Sequence, residues 1–337
     1  MLKIGVVFFL IVFLPSLENR FQNFTLNANS IKITKFGKSM EQFSMKSFTS
    51  NILRFLIFFF VTKKYTYLLG MVLLRFSRKL RKKYFNPSNT INLVQVNNCM
   101  GNIKMELDAN SYMGGSLFWS GFHHLNECLY LNSFLTNNMV LVDVGANQGE
   151  FSLFAASKIK GGKVLSFEPV SSNVKMLKKN IALNNYSQIE LFEFGLLDEE
   201  TDLPVYTSND EILNSGRHEG LSTLYPDDYR SVQEEIIQLK VFDSLFFEKL
   251  ERLDFIKIDI EGAELPALKG MLKTITKFKP QILIEISSET IKNTNYEFEE
   301  LLEFFEKLNY QAYSLFRGNL VKENDLKLTS WGNYIFI

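Results

Sequence analysis

The chain has 337 residues, 46% of them apolar and 22% charged, with 37 basic side chains balanced by 37 acidic ones. These proportions exclude a disordered chain, a collagen-like fibre and a coiled coil, and a mean hydropathy of −0.02 excludes a polytopic membrane protein. Two cysteines, Cys99 and Cys128, are too few for a disulfide scaffold or a four-thiolate zinc site.

The zero net charge conceals an asymmetry. Residues 1–85 carry 15 Lys and Arg against 2 Asp and Glu, a net +13 that the remainder cancels. The apolar run Ile4–Leu14 follows Lys3 and is 11 residues long, short of the ~20 that span a bilayer. It reads as a signal core, a membrane anchor, a packed segment or the product of a misplaced start. Pro15-Ser16-Leu17-Glu18 is a poor cleavage site, and Met40 and Met45 are alternative starts.

Residues 52–74 are apolar but interrupted by Arg54, Lys63 and Lys64, which disfavours a simple spanning helix. A basic, aromatic-flanked cluster, Phe76 to Phe85, follows. Two readings lead: residues 52–85 as an interfacial helix on anionic lipid, or as a helical extension packed on the next domain with its lysines solvated; a nucleic-acid patch is a third, disfavoured one. Either suits a cytoplasmic protein, peripheral to or anchored at a membrane; no nucleic-acid partner is expected. Asn86-Pro87-Ser88-Asn89 is a loop signal, dividing an N-terminal extension, 1–90, from a domain, 91–337.

From Met139 onward, apolar runs alternate with amphipathic segments. Strands are expected at Val140–Val144, Val164–Phe167, Ile189–Phe194, Phe255–Ile260, Ile282–Ile286, Ala312–Leu315 and Tyr334–Ile337. Helical faces lie between them: Val174, Leu177 and Ile181; Leu265, Leu268, Leu272 and Ile275; Phe298, Leu301, Leu302, Phe305 and Leu308. That alternation predicts an α/β fold with a mostly parallel sheet covered on both faces.

The first of these strands ends in Val142-Asp143-Val144-Gly145-Ala146-Asn147-Gln148-Gly149. A glycine turn between strand and helix brings backbone N–H groups close to a ligand. The spacing GxxxG departs from the dinucleotide GxGxxG. Asp143 would repel a pyrophosphate but favour a cationic ligand such as the ammonium of S-adenosylmethionine. The second strand ends in Phe167-Glu168-Pro169, where an acid can accept both hydroxyls of a ribose.

A second dense cluster is Lys257-Ile258-Asp259-Ile260-Glu261-Gly262-Ala263-Glu264. In an extended strand Lys257, Asp259 and Glu261 would share one side. Three charges there require pairing or an open site. The structural reading is a Lys257–Asp259 ion pair with Glu261 and Glu264 at a helix start. The functional reading is that Asp259 or Glu261 faces the reacting group. Glu285, alone in Leu283-Ile284-Glu285-Ile286, is a further candidate. The pair His123-His124 has no other spaced ligands and reads as packed or pocket-lining, so no metal ligand set is assigned. Ser222-Thr223-Leu224, after Gly220-Leu221, reads as a lid or an ordinary turn.

The set DVGANQG, FEP, KIDIEGAE and ILIEI, with Asn173, Asn180 and the closing NYIFI, resembles the FkbM family of S-adenosylmethionine-dependent methyltransferases over residues 100–337. The resemblance implies a Rossmann-like class I methyltransferase fold, a seven-stranded, mostly parallel sheet with its last strand antiparallel. It implies S-adenosylmethionine as cofactor. It carries Asp143, Gly145 and Gly149, with Ala146 and Asn147 of the same loop, to the methionine end and Glu168 to the ribose. The implied reaction is O-methylation of a hydroxyl on a sugar, glycolipid or other small natural product, with Asp259, Glu261 or Glu285 as base or hydroxyl-orienting group. The alternative is a non-catalytic adenosyl-fold scaffold at a membrane surface.

Overall fold

The computed structural model describes residues 37–84, 91–207, 222–327 and 331–337. The run Ile4–Leu14, the loop Asn86–Asn89, Gly220-Leu221 and His218 lie outside them. The chain divides into two compact units, Met1–Ser47 and Phe48–Ile337. The sequence reading put a boundary near residue 90; the second unit instead begins at Phe48.

The reason for that difference is visible at Arg54. It lies in helix α1 (Gly37–Val61), only 3% exposed. Its guanidinium donates to Asn98 Oδ1 at 2.6 Å, to Ser50 Oγ at 3.1 Å and to the Phe118 carbonyl. A buried cation with its donors filled belongs to a folded core. Helix α2 (Tyr67–Tyr84) follows a short turn, and its Gly70 abuts Val61 so closely that a Cβ would lie 2.6 Å from the valine Cγ1. No helix among the described residues is long and apolar enough to cross a membrane.

Strands β1 (Leu93–Cys99) and β2 (Ile103–Asp108) form an antiparallel hairpin. Helix α3 (Tyr112–Ser120) is capped by Ser111 Oγ, which accepts from the Gly114 amide, and stops at Gly121, φ 80°. Helix α4 (Leu125–Phe134) leads into the main sheet.

That sheet is built from β3 (Val140–Val144), α5 (Glu150–Lys158), β4 (Lys163–Phe167), α6 (Ser171–Asn184) and β5 (Ile189–Phe192). A small sheet then interrupts, with β6 (Gly195–Leu196), β7 (Thr201–Thr207) and β8 (Val232–Lys240) in the order β6-β8-β7. The main sheet resumes through α7 (Phe242–Phe246), β9 (Phe255–Ile258), α8 (Glu264–Gly270), α9 (Leu272–Phe278) and β10 (Gln281–Ile286). It ends with α10 (Ser288–Ile291), α11 (Phe298–Lys307), β11 (Ala312–Phe316), β12 (Asn319–Lys322) and β13 (Gly332–Phe336).

The spatial order is β12-β11-β13-β10-β9-β3-β4-β5. Strands β10, β9, β3, β4 and β5 run parallel, while β13, the last in the chain, is antiparallel to both neighbours. Seven strands are those read from the sequence; β12, a short hairpin partner of β11, adds an eighth at the edge.

Side-chain alternation divides the core between the two faces of the sheet. Val140, Val142, Val144, Ile256 and Ile258 pack into one apolar cluster. Leu141, Val164, Phe255, Leu283 and Ile335 pack into the other, together with α3, α4 and α5.

Candidate functional site

Register sets the site. Val144 pairs with Phe167 in β4 and with Ile258 in β9. Gly145, Glu168 and Asp259 therefore leave the sheet side by side at its carboxyl edge. Ile284 pairs with Ile258, so Glu285 comes next to Asp259 on the neighbouring strand. A carboxyl edge where chains diverge is where parallel α/β sheets hold ligands.

The loop after β3 is tightly specified. Gly145 has φ 77°, and a Cβ there would fall on the Asp259 carbonyl oxygen. The Gly145 and Ala146 amides both donate to the Phe167 carbonyl, at 3.0 and 2.9 Å. The Asn147 amide donates to Glu168 Oε2 at 2.7 Å, and the Val170 amide to Oε1 at 3.0 Å. Burial pushes the Glu168 carboxyl up to about 7 despite these amides. Gly149 caps α5 at φ 100°, with Leu177 against it.

Asp143 is placed differently from the expectation. It is fully buried beneath the loop, and its cross-strand neighbours are Lys257 and Ser166. Ser152 Oγ donates to Asp143 Oδ2 at 2.6 Å, and Lys257 Nζ lies 3.4 Å from Oδ1. The cation that answers this carboxylate is thus the chain's own Lys257. Lys257 also donates to the Gly145 carbonyl at 2.7 Å, bracing the loop from below. Burial favours a neutral amine, yet Asp143 and Asp259 hold the Lys257 pKa above its ordinary value.

The Lys257–Asp259 ion pair is present at 3.6 Å, with the Asp259 side chain 26% exposed. Strand β9 ends at Ile258, so strand alternation does not place Glu261, whose φ is 51°, yet it lines the same cavity as Lys257 and Asp259. Glu261 accepts from Arg230 Nη1 at 2.8 Å, and burial together with the Asp259 charge lifts it to about 8. Glu264 accepts from the Ile260 and Gly262 amides and shapes the turn. Glu285 hydrogen-bonds Trp331; burial, Asp259 and Glu261 raise it to about 9.

His124 was missed as a partner of these acids. Its Nδ1 lies 3.0 Å from Glu150 Oε2, while the His123 and His124 amides donate to Glu150 Oε1 at 2.9 and 3.1 Å. Burial works against its charge, yet Glu150 brings His124 up to about 9; the histidine in turn holds the buried Glu150 down to about 2. One ligand atom each of His124, Asp259 and Glu285 lies within 4.8 Å of the other two, the one grouping among the described residues able to hold a metal ion. Glu150 opens α5 directly after Gly149, which is the signal that could have flagged it; nothing in the spacing links residue 124 to 259 or 285.

The Gly145–Asn147 loop, Glu168, Glu150, Lys257, Asp259, Glu261 and Glu285 line one cavity of about 1150 Å³, whereas Asp143, Arg230 and Glu264 are not in its lining. In the strand order β4-β3-β9-β10, Glu168 and the Gly145–Asn147 loop come first and Asp259 and Glu285 follow, with His123, His124 and Glu261 also in the lining. Helix α2 contributes Leu74, Ser77, Arg78, Arg81 and Lys82 to the wall, and the small sheet contributes Val205, Ile237 and Leu239. Arg81 is fixed by donating to Ser116 Oγ at 2.7 Å and to the Tyr112 carbonyl at 2.8 Å. Ser222 and Leu224 also line it, and Thr223 Oγ1 donates to the Glu261 carbonyl at 2.6 Å.

Comparison with known proteins places these features in context. The family model described as a methyltransferase FkbM domain matches residues 143–312. Methyltransferase sdnD of Sordaria araneosa is 32% identical over 41% of this chain and 62% of its own length. AMB antimetabolite synthetase AmbE of Pseudomonas aeruginosa is 30% identical over 45% of this chain and 8% of its own length. The chain therefore covers less than two thirds of these relatives. Among solved structures, an FkbM methyltransferase from Methylobacillus flagellatus KT superimposes with a TM-score of 0.39 at 20% identity, over 60% of this chain and 44% of that one.

Proposed function

The chain belongs to the FkbM family of methyltransferases, and on that premise we propose that it transfers a methyl group from S-adenosylmethionine to a hydroxyl oxygen on a sugar, glycolipid or other small natural product. The observation that supports this reading most directly is the shared register. One cavity holds a glycine loop and a strand-end acid together with a cluster of acids and a histidine.

The residues fit the cofactor. The Glu168 carboxylate, held by the Asn147 and Val170 amides, has the chemistry to accept two ribose hydroxyls. Gly145 to Asn147 would hold the methionine end, with no room for a Cβ at Gly145. Asp143, tied up by Ser152 and Lys257, supports the loop from below. When bound, S-adenosylmethionine supplies an electrophilic methyl on a sulfonium; the chain's part is positioning and exclusion of water.

Of the three candidate acids, Asp259 is the best placed to receive or orient the acceptor hydroxyl. Glu261 is occupied by Arg230, and Glu285 by Trp331. A base within hydrogen-bond reach of the hydroxyl suffices for an oxygen nucleophile that loses its proton late. Asp259→Asn is expected to abolish turnover in a methyl-transfer assay on the full chain while leaving S-adenosylhomocysteine affinity within about twofold. Full activity in that variant would contradict the assignment. Family membership favours an enzyme over a scaffold that kept only the fold.

A lipid-linked acceptor at an anionic surface accords with helix α2. At 100° per residue, Leu68, Val72, Phe76, Lys79 and Lys83 fall on one face. Leu74, Ser77, Arg78 and Arg81 fall on the other, which is the cavity side. Leu68, Val72 and Phe76 are 67%, 58% and 50% exposed. Apolar residues followed by lysines on one exposed face suit the headgroup region of an anionic membrane.

A further inference from the structure

We propose that His124, Asp259 and Glu285 form a binding site for one divalent first-row transition-metal ion at the acceptor end of the cavity. The three side chains come from three separate segments: the turn before α4, the end of β9 and the interior of β10. One ligand atom from each converges to within 4.8 Å of the others. A cation at about 2.1 Å from each donor needs only small side-chain rotations to draw them together.

The surroundings of His124 are those of a metal ligand. Its Nδ1 is held at 3.0 Å by the buried Glu150. In the tautomer where Nδ1 donates to that carboxylate, Nε2 carries the free lone pair. A carboxylate behind the imidazole fixes its orientation and raises its basicity, as is usual for histidines that bind metals. Glu150 is itself pinned by the His123 and His124 amides, so the chain before α4 is locked to the start of α5.

The two acids offer oxygen donors that the chain only partly occupies. Lys257 reaches Asp259 Oδ2 at 3.6 Å, but it also serves Asp143 and two carbonyls. Glu285 has the Trp331 indole as its hydrogen-bond partner, and no Lys or Arg is paired with it among the described residues. A dication would balance two carboxylates and take the place of the proton on His124 Nε2, which is released on binding. One nitrogen and two oxygen donors suit Mn²⁺ or Zn²⁺ better than Ca²⁺ or Mg²⁺, which take oxygen ligands. Three protein ligands on one wall leave positions open toward the cavity. The ion's role there rests on the methyltransferase reading: it would hold the acceptor hydroxyl and lower its pKa, so that the proton passes to solvent in the open cavity as the oxygen takes the methyl group, leaving Asp259 to orient rather than to take the proton.

The test is calorimetric titration of the EDTA-stripped full chain with Mn²⁺ and Zn²⁺, with S-adenosylhomocysteine titrated into the same preparations. One equivalent of metal is expected, held more tightly as Zn²⁺ than as Mn²⁺. Glu285→Gln and His124→Asn should each weaken it tenfold or more, and Glu150→Gln about tenfold. Retained S-adenosylhomocysteine binding shows that each variant is folded. Glu168→Ala should do the reverse, losing the adenosyl ligand and keeping the metal. A folded wild-type chain that binds neither ion, or variants that bind it as wild type does, would overturn the site while leaving the methyl-donor reading standing on its own titration.

Discussion

The Asn147 amide donates a 2.7 Å hydrogen bond to Glu168 Oε2, fastening the loop after β3 to the end of β4. The two motifs proposed to hold the cofactor are thereby one mechanical unit. The same carboxylate that would receive a ribose also sets the loop conformation, through an Asn147 backbone at φ 48°.

Glu168 predicts a pH dependence. Burial raises its pKa to about 7, above that of an unfolded chain. The folded protein therefore binds this proton more tightly. Glu168 contributes stability that is full below the unfolded carboxyl value and is lost as pH rises through about 7, on the order of 3 kcal/mol at the limit. The facing groups are the Asn147 and Val170 amides, Asn173 and, at longer range, Lys257. Thermal melts of the ligand-free chain between pH 5 and 8 should show a decline that Glu168→Gln flattens. Ribose hydroxyls donate to the ionised form, so S-adenosylhomocysteine affinity should fall roughly tenfold per unit as pH drops below about 7.

Gly145→Ala places a methyl group on the Asp259 carbonyl in a backbone with φ 77°. The loop must move away from β9 to accept it. A stability loss of about 1–3 kcal/mol is expected, with weaker S-adenosylhomocysteine binding, measured by denaturant unfolding and calorimetry. An unchanged midpoint would show that the loop is not packed as described.

Arg230 is 7% exposed in its side chain and bridges Asp227 at 2.7 Å and Glu261 at 2.8 Å, the latter 11% exposed. Arg230→Ala takes the charged donor away from both Asp227 and Glu261 and should cost about 1–3 kcal/mol. Adding Glu261→Gln should depart from additivity by at least about 0.5 kcal/mol, because the two side chains are bonded to each other. Additive losses from the two changes would mean that the pair is not coupled.

The fold was legible where burial dictates composition. Val140–Val144 and Gln281–Ile286 are fully or nearly fully buried strands, so apolar runs betray them. β8 escaped notice because Val232–Lys240 is mostly exposed, and with it the small sheet that walls the cavity. β12 is four residues long at an edge, too short to carry a pattern. In the site, Gly145 and Glu168 stood out because each follows a strand directly. His124 did not, because its link to Glu150, Asp259 and Glu285 is made by segments distant in the chain meeting in space rather than by any spacing. Glu261 reaches the cavity by a turn rather than by strand alternation, because β9 ends at Ile258 and Glu261 and Gly262 both have positive φ.

Helix α2 predicts salt-sensitive adhesion to anionic lipid. Each lysine near such a surface contributes about 1 kcal/mol, screened within a Debye length. The full chain should sediment with vesicles containing phosphatidylserine at low salt and release as salt rises. Lys79→Glu with Lys83→Glu should reduce that binding at least tenfold. Equal binding to neutral vesicles would show that charge on this face is not the cause.

Glu168 and the Gly145–Asn147 loop are proposed to form an adenosyl-ligand site. Calorimetric titration of the full chain with S-adenosylhomocysteine tests it most directly, with Glu168→Ala in parallel; the full chain is needed because α2 walls the cavity. One equivalent should bind to the wild type, and the variant should lose affinity by at least tenfold while its melting remains cooperative. A folded wild-type chain that binds no ligand, or a variant that binds it equally well, would contradict the account.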